Sequence, residues 1–385
     1  MQESSAEVVV VGGGVVGTSI AFHLAEADVD VALVERSELG AGSTSKAAGG
    51  LRTIFSDDLN IEIALRSIEA YRNFSSRPGY EVDFKAHGYL ILISTDDDLK
   101  NFQQIVERQN AFGIPSRIIS PEEALAINPM ISTEGLIAAL HSPHDAQCSP
   151  EGAVMGYAQG ARKLGTTILQ GEGVKEISTV SDSIAAVLTE SRRISTSTVV
   201  IAAGVWSPQI GDMIGLNIPV KPYKREIVIT DPLGSHWAGM HDSLPMTIDF
   251  SSTLSWRPEG GALLIGFSDE RVPAGFDTTR DPRYIEKLAE LALHRIPITS
   301  ELGIGKGWAG LYDTSPDNNA LLGEASSPNR VLYATGFSGH GVMQAPAVGE
   351  IIRDLYLGQR PFVNITPLSI ERFKNERARR ESAVF

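Results

Sequence analysis

Residues 8–35 read as a strand, a glycine turn, a helix and a second strand closed by an acid, and that order constrains the fold more than any other feature. Val8–Val11 is an unbroken β-branched run, the pattern of a buried parallel strand. Gly12-x-Gly14-x-x-Gly17 follows at once, residues 15–27 have helical character, and residues 29–35 are apolar but for Asp30 up to the closing Glu35. An acid about twenty residues past such a turn marks a dinucleotide-binding βαβ unit. Gly12 permits the tight turn. Gly14 has no side chain, so a pyrophosphate can approach the backbone and the helix N-terminus at Val15 and Val16. Gly17 lets the helix pack closely on the strand. Glu35 can accept the hydroxyls of an adenosine ribose and repels a 2′-phosphate, with Arg36 beside it softening that repulsion.

The length of 385 residues predicts about two domains. A net charge of −14 disfavours nucleic acid and anionic membrane surfaces as partners. Cys148 is the sole cysteine, which excludes an intrachain disulfide and fits a reducing, cytoplasmic compartment. No Cys/His cluster has metal-ligand spacing, so no metal is expected. Residues 8–34 are apolar, but three glycines, His23, Glu26, Asp28 and Asp30 interrupt them, leaving no run of about 20 apolar residues for a membrane span. Met1–Ser5 carries no basic residue, so no secretory signal is expected there.

The α/β pattern recurs at a distance. Helices are predicted over 58–76, 97–112, 150–164, 281–295 and 342–357, and a short one opens at Ser120-Pro121. Strands are predicted at 89–93, 135–145, 167–169, 173–177, 199–204, 218–230, 254–267 and 331–334. The expected fold class is α/β. A Rossmann-like domain is assembled from 1–80, 145–215 and 325–370. A second, α+β domain with an antiparallel sheet comes from 81–144 and 216–324, and 371–385 forms a C-terminal tail.

A second glycine turn, Gly336-Phe337-Ser338-Gly339-His340-Gly341, stands between the strand Val331–Ala334 and a helix beginning at Val342. No acid waits twenty residues later, so this is not a second nucleotide site. A helix N-terminus aimed at the turn would stabilise the anion that a reduced flavin carries near N1 and O2. The two turns together suggest a flavin held from both ends.

The chain resembles the FAD-dependent D-amino-acid oxidase superfamily, in its sarcosine oxidase and dimethylglycine dehydrogenase branch. The resemblance spans nearly the whole length. It rests on Gly12–Gly17 with Glu35-Arg36, the small-residue stretch from Gly42 to Arg52, Ala202-Ala203-Gly204-Val205-Trp206, the stretch from Trp308 to Asp317, and Gly336–Gly341 followed by Pro346-Ala347-Val348-Gly349-Glu350. It implies one FAD and oxidation of a C–N bond in a secondary amine or N-substituted amino acid, with hydride passing to flavin N5 and the imine then hydrolysed. Oxygen or an electron carrier would accept the electrons. A D-amino-acid or glycine-type oxidase or dehydrogenase is an alternative, as is an FAD-binding subunit of a hetero-oligomeric dehydrogenase; homo- or hetero-oligomers both remain open.

Departures from the family pattern sharpen these expectations. Lys46 stands where some relatives attach FAD through a histidine, and Gly310 where others use a cysteine, so FAD is expected to bind non-covalently. Met343 stands where sarcosine oxidases hold the substrate carboxylate with a lysine, Leu264 where they place an oxygen-activating lysine, and Tyr312 where glycine oxidases have an arginine. The resemblance implies FAD contacts at Gly12, Gly14, Val15, Val16, Gly17, Glu35, Arg36, Gly42, Ser43, Thr44, Ala48, Gly49, Gly50, Leu51, Val174, Ala203, Gly204, Trp206, Gly336, Phe337, Ser338, Gly339, Gly341, Val342 and Met343. His340, Lys46 and Tyr312 are the catalytic candidates. Arg52, Tyr223, Arg225, Trp256 and Tyr312 are the substrate candidates. No general base is evident, and an amine bound in its neutral form needs none.

Overall fold

The computed structural model describes residues 1–237, 243–269, 271–374 and 378–383. A six-stranded sheet runs Leu321–Glu324, Val331–Thr335, Thr198–Ile201, Val8–Val11, Val31–Glu35, Thr167–Gln170, all parallel except the first pair. Its central strands are buried on both faces, which explains the unbroken valine run at 8–11. The helix Val15–Glu26 packs on the last helix, Gly341–Tyr356, at Gly349. A Cβ on Gly349 would overlap the His23 ring and the Ser19 hydroxyl, so the two helices meet at backbone distance. Burial holds His23 well down, at about 3, and its Nδ1 lies 2.8 Å from the Ser19 carbonyl oxygen.

An eight-stranded sheet runs Ile304–Thr314, Lys221–Thr230, Ala262–Phe267, Leu254–Glu259, Met246–Asp249, Tyr89–Ile93, Ala138–Ser142, Arg117–Ile119. It is antiparallel apart from the Met246–Asp249 and Tyr89–Ile93 pair. Two helices lie against it. Asp96–Ala111 starts at Thr95, whose hydroxyl accepts the Asp98 N–H, with three aspartates in its first turn complementing the helix dipole. Pro282–Arg295 covers the opposite face.

Three differences from the sequence expectations have physical causes. The predicted strand at 173–177 leaves the α/β layer: Val174–Val180 joins Ser183–Thr189, Arg192–Ser195 and Gln2–Ser5 in a separate four-stranded sheet. Leu321–Glu324, expected in the second domain, pairs with Val331–Thr335 and belongs to the first sheet. Residues 381–383, expected in a tail, are tied down. The Glu381 N–H donates to the Asp317 carbonyl and its carboxylate accepts the Ser56 N–H at 3.0 Å, while Ala383 is fully buried. We propose the two-domain division along these sheets, with Leu321–Glu324 moved to the first.

Trp256 illustrates how register decides placement. It pairs with Thr247 and Ile265, on the face of the eight-stranded sheet that meets Pro282–Arg295, and is 1% exposed. Trp256→Ala is therefore expected to cost about 3–5 kcal/mol, read as a lower denaturation midpoint.

Candidate functional site

The two sheets enclose a cavity that runs from the first glycine turn to the second. Gly12 has φ +114, and a Cβ there would overlap the Ala202 carbonyl, so only glycine fits. A Cβ on Gly17 would overlap the Gly12 carbonyl, which places Gly17 in helix packing and off the cavity wall. Gly14 differs: an added Cβ would meet only Thr44 Oγ1, at 3.2 Å, and otherwise open space. The Thr44 hydroxyl accepts the Val15 N–H at 3.1 Å, and Glu35 accepts the Gly13 N–H at 2.7 Å through Oε2 and the Ser37 N–H at 2.8 Å through Oε1. Each Glu35 oxygen keeps a lone pair for a further donor. Arg36 lies over the Trp206 ring, 3.9 Å from its centroid.

The small-residue loop and the second turn line the other end. Ser43 donates to the Leu311 carbonyl at 2.6 Å. Gly339 has φ +96, and a Cβ there would lie 2.5 Å from the Tyr312 ring. Asp313 anchors the turn: its carboxylate accepts the Phe337 N–H at 3.1 Å and its carbonyl the Ser338 N–H at 3.0 Å. Burial pushes Asp313 up to about 6.

A buried guanidinium lies between these parts. Arg52 donates to the carbonyls of Ile54 and, at 2.6 Å, Ala383, and to His340 Nε2 at 3.0 Å. Arginine only donates, so Nε2 carries no proton and the imidazole proton sits on Nδ1. Burial and the Arg52 charge hold His340 far below its ordinary range, so it is neutral and already engaged. Behind Arg52, the Asp145 carboxylate accepts both the N–H (2.8 Å) and the hydroxyl (2.7 Å) of Thr53.

Of the expected cofactor contacts, all but Gly17, Leu51 and Gly336 line the cavity. Leu51 is fully buried in the core, and a Cβ on Gly336 would meet Leu321 and Val220. His340, Lys46, Tyr312, Arg52 and Arg225 line it too, with Arg225 over the Tyr312 ring at 5.1 Å. Tyr223 and Trp256 do not. Tyr223 pairs with Tyr312 but stands past the cavity edge, and Trp256 faces the opposite core. Leu264 is buried and off the wall. The structure adds Tyr89, Met246, Ile248, Ser255 and Asp313. The first four share the sheet face that roofs the cavity; Tyr89 was concealed by the continuous apolar run after it, and the others by alternation that does not indicate which face is the cavity.

Residues 7–355 match the family described as FAD dependent oxidoreductase. The chain belongs to that family. It is 32% identical to mouse dimethylglycine dehydrogenase, mitochondrial, over 93% of this chain and 43% of that protein. It is 27% identical to mouse sarcosine dehydrogenase, mitochondrial, over 96% of this chain and 42% of that protein. The chain thus spans less than half the length of these relatives. Among solved structures, L-proline dehydrogenase from P. horikoshii superposes with a TM-score of 0.91 at 33% identity, covering 98% of this chain and 99% of that one. The cavity fits FAD chemically: a cradle that Gly14 leaves open, a helix N-terminus, an acid with spare lone pairs, and a second helix N-terminus at His340. Among the described residues, no group has the makings of a metal site and no helix is long and apolar enough to cross a membrane.

Burial also raises Asp145, to about 6 from an unfolded value of 3.8. Its folded form keeps a proton that the unfolded chain releases, so this group's stabilisation is complete below pH 3.8 and is lost as pH rises through about 6. Asp145→Asn is expected to remove that dependence, on the order of 2–3 kcal/mol, flattening the plot of thermal midpoint against pH between 4 and 6.

Proposed function

We propose that this chain oxidises the C–N bond of a secondary amine or N-substituted amino acid, using non-covalently bound FAD. The observation that carries the reading is the Arg52 guanidinium, buried on the wall of the same cavity as both glycine turns. A buried cation beside the cofactor residues suits a substrate with a carboxylate. Dimethylglycine, sarcosine and proline, the compounds in the relatives' names, all carry a carboxylate next to an alkylated nitrogen. When bound, FAD supplies the two-electron acceptor, and oxygen or an electron carrier takes the electrons onward.

The chain's own residues bind, orient and exclude water. Arg52 draws the carboxylate in, Arg225 adds a second positive charge over Tyr312, and Met246 and Ile248 keep that end dry. His340 is neutral and its Nε2 accepts from Arg52, so it holds the guanidinium rather than taking a proton from substrate. No base is needed if the amine binds neutral. Non-covalent attachment agrees with Lys46 and Gly310 on the wall and with Cys148 buried away from it.

Acid precipitation should release yellow FAD into the supernatant; flavin retained in the pellet would overturn non-covalent binding. Anaerobic mixing with N-methyl amino acids should bleach the flavin, at a rate that rises with pH as the bound amine deprotonates. Bleaching by D-amino acids or glycine alone would instead favour the glycine-type alternative. Normal photoreduction without bleaching by any amine would favour a subunit that needs a partner. Reoxidation by air or only by an added carrier dye then identifies the acceptor class.

A further inference from the structure

The roof of the cavity contains a polar group that the chemistry described so far leaves without a task. Tyr89 opens the strand Tyr89–Ile93, is 2% exposed, and lines the cavity. Its four strand successors are apolar and buried. Among the described residues its hydroxyl forms no hydrogen bond, whereas the buried phenols of Tyr71 and Tyr284 both donate to backbone carbonyls. Buried hydroxyls are nearly always paired, so this one, on a cavity wall, has its donor available to a ligand or to water.

Its seat is defined by the small-residue loop. A Cβ on Gly50 would overlap the Tyr89 hydroxyl and lie 2.8 Å from Met246 Sδ, so the phenol rests directly on the Gly50 backbone. Arg52 follows two residues after Gly50, just past the short strand Gly50–Leu51, and lines the same cavity as Tyr89. The charges that bear most on the phenol are Arg52, then Asp145 and Arg257, with the Tyr312 hydroxyl beyond. Burial keeps the phenol protonated, so it is a donor at every working pH. A neutral O–H donor beside a guanidinium matches an anionic oxygen better than an N–H.

We propose that Tyr89 is a substrate-positioning residue whose phenol donates a hydrogen bond to the substrate carboxylate that Arg52 attracts. This rests on the amino-acid reading above. Two donors from different elements, one on the loop and one on the roof, fix the orientation of the carboxylate and so the face that the α-carbon and nitrogen present.

Tyr89→Phe removes one hydroxyl and keeps the ring. With an N-methyl amino acid that reduces the wild type, KM should rise about tenfold or more, with kcat within about threefold. The methyl ester of the same amino acid should show the same kcat/KM in both proteins. Equal KM for the acid, or equal losses on acid and ester, would overturn the proposal. A second measurement needs no turnover: titrating the FAD-loaded proteins with acetate and reading the flavin absorbance change. The acetate Kd should be weaker in Tyr89→Phe by a similar factor, and an unchanged Kd would overturn the proposal even if no amine is oxidised. Failure of every amine to bleach the wild type, with the acetate difference intact, would overturn the amine reading alone. Thermal midpoint and bound FAD per chain should match the wild type; loss of either would assign Tyr89 a structural role instead.

Discussion

A positive charge buried where two sheets meet must be held by everything around it, and Arg52 sets that demand here. Carbonyls from Ile54 and Ala383 and the unprotonated nitrogen of His340 share its donors, while the carboxylates of Glu381 and Asp145 act at longer range. These groups come from the segment just after the small-residue loop, the N-cap of the last helix, the segment near residue 382 and the loop before Ala146. An uncompensated guanidinium in such a place would cost several kcal/mol. The same charge therefore organises distant parts of the chain and gives the cavity its electrostatic character.

The roof follows from strand alternation. Tyr89, Met246, Ile248, Ser255, Gly266, Ile227, Arg225, Gly310 and Tyr312 share one face through consistent pairing across six strands. The other face is an apolar layer under Pro282–Arg295. A one-residue slip in any strand would exchange lining for core. The wall is therefore specified by register as much as by residue type.

That division also explains what was legible in the sequence. The first turn could be read because Gly12, Gly14 and Gly17 each answer a separate steric demand, and Glu35 stands at a fixed spacing. The second turn could be read because its strand and helix are strongly patterned. Trp256 misled because Leu254-Ser255-Trp256-Arg257 alternates without indicating which face is the cavity; Ser255 is the lining residue. Tyr89 was hidden in an apolar run buried on both sides. Of the hairpin strands at 183–195, Arg192–Ser195 is short and mostly polar, and Ser183–Thr189 is a run of small and apolar residues with little periodic signal. Residues 381–383 follow a charged stretch, and only their tertiary partners, Asp317, Ser56 and Arg52, reveal that they are held in place.

The strand order of the first sheet has a consequence in time. Val8–Val11 lies between Val31–Glu35 and Thr198–Ile201, and the strand leading to the second turn pairs with Thr198–Ile201 only after some 130 further residues. During synthesis the nucleotide cradle emerges first and the turn at the other end of the cavity emerges among the last. Such non-local pairing slows folding. A complete cavity exists only once the chain has closed on itself, so a nascent or truncated chain carries half a grip.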